Sequence, residues 1–149
     1  MMKEILVKEY NFYGWEKADV SAKADEYKNI KNPRHLYDLL SDIWCADTCA
    51  PRMRDGWSKD NMTLGQCSIT AFLAQDIFGG DVYGVKTGSG IHCYNVVNGI
   101  SFDLTSEQFG EKAKDLDYTP ILKQEREMPN HFGNGEKRDR YNMLKELLK

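Results

Sequence analysis

Cys67 follows Gly65-Gln66 and opens an amphipathic run, so it stands where a helix begins. Unpaired amides and the positive end of the helix macrodipole favour a thiolate at such a position. A nucleophilic thiol also needs a base, usually histidine, and often a third group to orient that base. Both are available in residues 91–104, where Asn98-Gly99 is the strongest short hairpin signal. A two-residue loop pairs Val97 with Ile100, Val96 with Ser101, Asn95 with Phe102 and Tyr94 with Asp103. The two-residue strand period then sets His92, Tyr94 and Asp103 on one face. His92 and Asp103 become diagonal neighbours, with backbones about 7–8 Å apart. Cys93 is expected to face the opposite side and take no part unless the strand is bulged. The expected chemistry is a Cys67 nucleophile, a His92 base and an Asp103 orienting group.

Other readings of the same residues stay open. A cysteine between aliphatic helix faces can be a small buried hydrophobe, and a strand histidine can be structural. That reading makes the chain a non-catalytic binding or interaction module. Cys45 and Cys49, with Cys67, His92 or Cys93, could supply four zinc ligands, although C-x3-C fits no compact zinc-finger spacing. Gly84, Gly88 and Gly90 form no G-x-G-x-x-G fingerprint, and no cofactor is expected. They are expected to form a turn before the His92 strand, a lip on the site. Trp57, in a long loop, could line a substrate groove. His35, His131, Lys137, Arg138 and Arg140 are expected to be solvated.

These side chains need elements to position them. Asn32-Pro33 is a helix start, followed by Leu36, Leu39, Leu40, Ile43 and Trp44 on one apolar face. Residues 46–65 read as irregular chain, and connections this long are often functional. A helix is predicted over Cys67 to Phe78, ending at Gly79-Gly80. Its face of Ile69, Phe72, Leu73 and Ile77 adjoins a small-residue face of Cys67, Thr70, Ala71 and Ala74, so it is expected to be buried on two sides. Strands are predicted over Asp81–Lys86, Ile91–Val97 and Ile100–Leu104. Thr105-Ser106-Glu107-Gln108 matches a capping box for another helix, and Arg138 to Leu148 reads as a surface helix. In residues 1–31, Ile5–Val7 suggest a short strand and Ala18 to Tyr27 a polar helix. Helices followed by an antiparallel sheet argue for the α+β class.

Composition bounds the rest. The 149 residues suit one domain, 1–149, able to bury about 68–70% of its unfolded surface without a staple. Twenty Lys+Arg against 23 Asp+Glu give a net charge of −3, without the basic excess of a nucleic-acid binder. Met1 to Tyr10 lacks the apolar h-region of a signal peptide, and no 18-residue apolar run suggests a membrane span. The expectation is a soluble cytoplasmic protein whose four cysteines stay reduced.

Thr63-Leu64-Gly65-Gln66-Cys67, Thr70-Ala71, Gln75-Asp76, Gly79-Gly80, Gly90-Ile91-His92, Asn95, Gly99, Asp103-Leu104-Thr105 and Gln108-Phe109 resemble the bacterial YunG family. Trp57 also fits, and the likeness covers about residues 33–149. That family implies no particular activity. The order of a cysteine on a helix, a histidine on a strand and an aspartate on the next strand also resembles the papain-like and transglutaminase-like superfamily. This second resemblance implies a papain-like α+β fold, with the cysteine-bearing helix packed on a small antiparallel sheet. It implies thiol-dependent acyl transfer or amide hydrolysis on a peptide, protein or small amide, with Cys67, His92 and Asp103 in the roles above. It further implies an oxyanion donor, either Gln66 or the Cys67 amide, and substrate contacts from Tyr94 and Asn95 beside His92. His92-Cys93-Tyr94-Asn95 departs from the aromatic-rich His-Tyr-Trp-Asn associated with the family.

Overall fold

The computed structural model describes residues 9–149; the strand suggested at Ile5–Val7 lies outside them. Helix α1, Pro33–Ser41, begins where Asn32 Oδ1 accepts the His35 amide at 2.9 Å. Pro33 at its first position gives up no intrahelical bond. Leu36 and Leu40 are buried beneath it, and Trp44 still turns inward after the helix has unwound. The Trp44 indole donates to Thr70 Oγ1 at 3.0 Å.

Residues 46–65 are less irregular than expected, with 3-10 turns at Ala46–Thr48 and Pro51–Gly56. The segment ends at Gly65, whose φ is +70°. A Cβ there would lie 2.5 Å from Cys49 Sγ, so only glycine lets the two chains cross this closely. The Ala50 amide donates to the Gly65 carbonyl at 2.9 Å and ties the loop to the next helix.

That helix, α2, spans Cys67–Phe78, as its caps predict. Its aliphatic face is buried, and so is its small-residue face apart from the half-buried Cys67. Strands β1 Asp81–Thr87, β2 Gly90–Val97, β3 Ile100–Phe102 and β4 Leu122–Gln124 make an antiparallel sheet in the order β3-β2-β1-β4. Asn98 and Gly99 have φ of 53° and 78°, the paired positive values of a tight hairpin turn. The β2–β3 register is the expected one through Asn95↔Phe102. β3 then stops short of Leu104. Asp103 bridges to Tyr13 instead, its amide donating to the Tyr13 carbonyl at 3.0 Å. Among the described residues, no strand pairs with β2 on β3's side between Gly90 and Tyr94.

Three other expectations change. Ala18 to Tyr27 is not a polar helix but irregular chain followed by a 3-10 turn at Asp25–Tyr27. Ala18, Val20 and Tyr27 are buried, so the segment contributes to the core without forming a helix. Thr105 does not build a capping box: its hydroxyl turns back to Asp103, and a kinked 3-10 run, Ser106–Asp115, follows. Helix α3, Gly135–Leu148, starts at Gly135, capped by Asn134 Oδ1 at 3.0 Å from the Glu136 amide. One apolar cluster reaches from Phe12 to Leu144, so the N-terminal segment packs into the same core as α2 and the sheet. The class is α+β, with helices against a small antiparallel sheet. Among the described residues, no helix is long and apolar enough to cross a membrane.

Candidate active site

Cys67 heads α2 beside the edge of β2 that β3 leaves unpaired. Its sulfur is surrounded by the Cys93 thiol, the His92 imidazole and the Cys93 backbone N–H, whose donor character favours a thiolate there. The last of these explains why strand alternation misplaces Cys93. Side chains alternate above and below a sheet, but a backbone N–H points along it. A sulfur in the plane of the free edge therefore meets neighbours from both faces. Cys93 belongs to the site, contrary to expectation, without any bulge.

The environment separates charge between thiol and imidazole. The Cys93 hydrogen bond, then His92's bond and charge, hold Cys67 well below the ordinary thiol range despite burial. Burial alone would lower His92, but the charge and hydrogen bond of Asp103, with Cys67 behind them, push it up to about 10. Cys93 goes the other way: its bond to Cys67, then burial, keep it a thiol. The favoured state is a thiolate–imidazolium pair with a neutral thiol donor beside it.

Asp103 is almost fully buried and its carboxylate is shared among several donors. Oδ2 meets His92 Nε2 at 2.5 Å and accepts the Tyr118 hydroxyl at 2.7 Å. Oδ1 accepts the Thr105 amide at 3.1 Å and its hydroxyl at 3.3 Å. With Nε2 committed to Asp103, Nδ1 is the histidine nitrogen free to exchange a proton with Cys67. Phe109 packs edge-on against the imidazole at 4.7 Å between ring centres and fixes its plane. Asp103 and His92 share a hydrogen bond and His92 in turn adjoins Cys67, so the three residues picked out by spacing lie in series.

A cavity of about 630 Å³ opens over this chain, lined by Cys67, His92, Phe109, Arg52 and Lys137 among others. The other expected site residues lie elsewhere. Gln66 is buried, and its Nε2 donates to the Cys45 carbonyl at 3.1 Å, so it braces the helix start and does not face the cavity. The first-turn amides of α2, beginning with Cys67, have no intrahelical acceptor and remain the donors at hand. Trp57 donates to the Met62 carbonyl at 2.9 Å and packs on the core edge. Tyr94 is buried, its hydroxyl donating to the Tyr118 carbonyl at 2.9 Å. Asn95 holds the Ala71 carbonyl at 2.8 Å beneath α2. None of these three lines the cavity.

Some residues that matter were not singled out from the sequence, or were placed wrongly. Tyr118 arrives from a distant loop and stacks on Tyr13 with ring centres 3.7 Å apart; no local pattern announces it. Thr105 was legible, since an Asp followed two residues later by a backbone donor is a recognised turn. His131 is buried rather than solvated, and Lys137 and Arg140 are drawn in from the supposed exposed face of α3. Gly84 sits mid-strand where a Cβ would strike Ile91, while Thr87 and Ser89 form the lip. Among the described residues, no three His, Cys, Asp or Glu side chains gather in a metal-holding group, so Cys45 and Cys49 have no such partners.

A profile of the family described as "YunG protein" matches residues 32–149. The "Uncharacterized protein YunG" of Bacillus subtilis (strain 168) is 42% identical over 75 residues, covering 50% of this chain. The match spans 61% of that relative's length. No solved structure matches the chain. With the Gly-Gln-Cys, the Gly-Ile-His and the Asp-Leu-Thr all inside the matched region, the chain belongs to the YunG family.

Proposed function

We propose that the chain catalyses thiol-dependent acyl transfer or amide hydrolysis on a peptide, protein or small amide, on a papain-like variant of the α+β class. One observation carries the reading: a low-pKa thiol, an imidazole and a buried carboxylate are linked in series at the mouth of a cavity. The Cys67 thiolate attacks the substrate carbonyl carbon, and a C–S bond forms. Negative charge moves onto the carbonyl oxygen, where the Cys67 amide can receive it. His92 donates its Nδ1 proton to the leaving nitrogen as the C–N bond breaks. Water, or another nucleophile, gives His92 a proton while attacking the thioester, and the thiolate–imidazolium pair returns. Asp103 stays ionised throughout and holds His92 Nε2.

The test is site-resolved iodoacetamide alkylation of the folded protein across pH, read by mass spectrometry. The expected result is modification of Cys67 well below the free-thiol value near 8.5. His92→Ala is expected to remove that low-pH limb. A thiol that stays inert until the protein unfolds would overturn the reading and leave a binding module. Given a substrate, Cys67→Ala and His92→Ala should both abolish turnover while the fold survives.

A further inference from the structure

Lys137 stands in the first turn of α3, half-buried, and lines the same cavity as Cys67. Its ammonium donates to the Asn130 carbonyl at 2.6 Å and to His131 Nδ1 at 3.3 Å. Both acceptors are neutral. His131 Nε2 is bound to Gln124 Oε1 at 2.8 Å, so the ring donates there and accepts from Lys137. Among the described residues, no carboxylate lies within ion-pair distance of Lys137.

The other charges around the cavity act on Lys137 through space, chiefly the Cys67 thiolate, and none of them forms an ion pair with it. Glu136 is engaged by Arg140, whose Nε meets Oε2 at 2.7 Å. Arg52 reaches across the mouth to the Ser89 carbonyl at 2.7 Å and remains a second cation. The catalytic thiolate is already matched by its own imidazolium. One ammonium is thus partly desolvated, held in place by neutral acceptors, and faces an open volume with one donor proton to spare. Burial lowers the Lys137 pKa, a cost that an anion bound in the cavity would offset.

We propose that Lys137 is a specificity-determining residue, an anchor for a carboxylate on the acyl substrate attacked by Cys67. This rests on the reading of Cys67 as a nucleophile. The substrate class is an amide or thioester carrying a free carboxylate near the reacting carbonyl, such as an acidic residue or a chain terminus. A helix first turn and an exposed Arg52 at the mouth add to the positive field; Arg140 is paired with Glu136, whereas Lys137 is held inside the cavity by neutral acceptors.

Two alkylating probes of nearly equal shape separate the possibilities: iodoacetate, an anion, and iodoacetamide, which is neutral. Rates at Cys67 are measured for the native chain, Lys137→Met and Lys137→Arg, with glutathione as the reference thiol. The expected iodoacetate-to-iodoacetamide rate ratio at Cys67 is about tenfold above that of glutathione, the size of one charge-assisted contact. Lys137→Met should bring it to the reference, and Lys137→Arg should keep most of it. A ratio unchanged by Lys137→Met overturns the proposal. Equal slowing of both probes also overturns it, and assigns Lys137 to stabilising the thiolate alone. If Cys67 resists both reagents, the nucleophile reading fails, and this proposal with it.

Discussion

Tyr118 donates its hydroxyl to Asp103 Oδ2 at 2.7 Å, the same oxygen that His92 Nε2 meets at 2.5 Å. A residue outside the Cys-His-Asp series therefore shares the carboxylate that holds His92. Tyr118→Phe keeps the stacking on Tyr13 and removes one donor to a buried charge. The expected cost is about 1.5–3 kcal/mol of stability. Urea unfolding should show a lower midpoint at unchanged slope. An unchanged midpoint would mean that Thr105 and His92 suffice.

Asp103→Asn should act on the chemistry more than on the fold. Without the carboxylate charge, the burial that lowers His92 prevails, and the imidazolium that supports the thiolate is lost. Alkylation of Cys67 at neutral pH should drop by at least about tenfold, the equivalent of one pKa unit or more. Retention of the native rate would show that Asp103 only packs.

Cys93→Ala tests the unexpected neighbour. The first influence holding Cys67 low is the Cys93 thiol, so its removal should move the alkylation profile of Cys67 to higher pH. The backbone N–H remains in the variant, so the shift should be partial. A profile identical to the native one would remove Cys93 from the site.

Stability against pH follows from the signs of these shifts. His92 is raised from 6.5 to about 10, so its contribution is complete below 6.5 and is lost as pH rises through about 10. Cys67 is lowered below 9.0, so its contribution is present above that value and is lost as pH falls through its folded pKa. Between about 6.5 and 9 the two slopes oppose each other, and unfolding midpoints should change little across that range. Above it, the His92 limb is joined by the buried thiols of Cys93 and Cys49, whose pKa values are also raised, and stability falls. In Cys67→Ala the cancellation disappears, and the decline should begin near 6.5. His131 is lowered to about 4 and so weakens the fold as pH drops from 6.5 toward 4. Urea midpoints measured at several pH values in both proteins check the pattern; a native profile already falling steeply from pH 7 would contradict it.

Gly65→Ala should be costly for its size. The residue has φ of +70°, and the added methyl would lie 2.5 Å from Cys49 Sγ. Strained backbone of this kind costs about 1–3 kcal/mol before the clash is counted. The expected outcome is a lower unfolding midpoint with reduced Cys67 reactivity, since the helix start shifts with the loop. A midpoint equal to the native one would show that the crossing is looser than its contacts imply.

Local chemistry determined what the sequence alone could reveal. Asn98-Gly99 imposes a turn with two positive φ values, so the register through Asn95 and Phe102, and with it the face shared by His92 and Asp103, could be counted out. Asn32-Pro33 and Gly79-Gly80 likewise mark helix ends through bonds made within a few residues. The tertiary structure decided the rest. Cys93 entered the site because the alternation of side chains says nothing about an atom lying in the sheet plane at a free edge. Tyr13 displaced the end of the β3 ladder, and Tyr118 joined the carboxylate, through contacts between residues far apart in sequence. Lys137 and His131 looked solvated because polar side chains usually are. Neutral acceptors and a shared cavity, assembled only when α3 packs against α2, drew them inward.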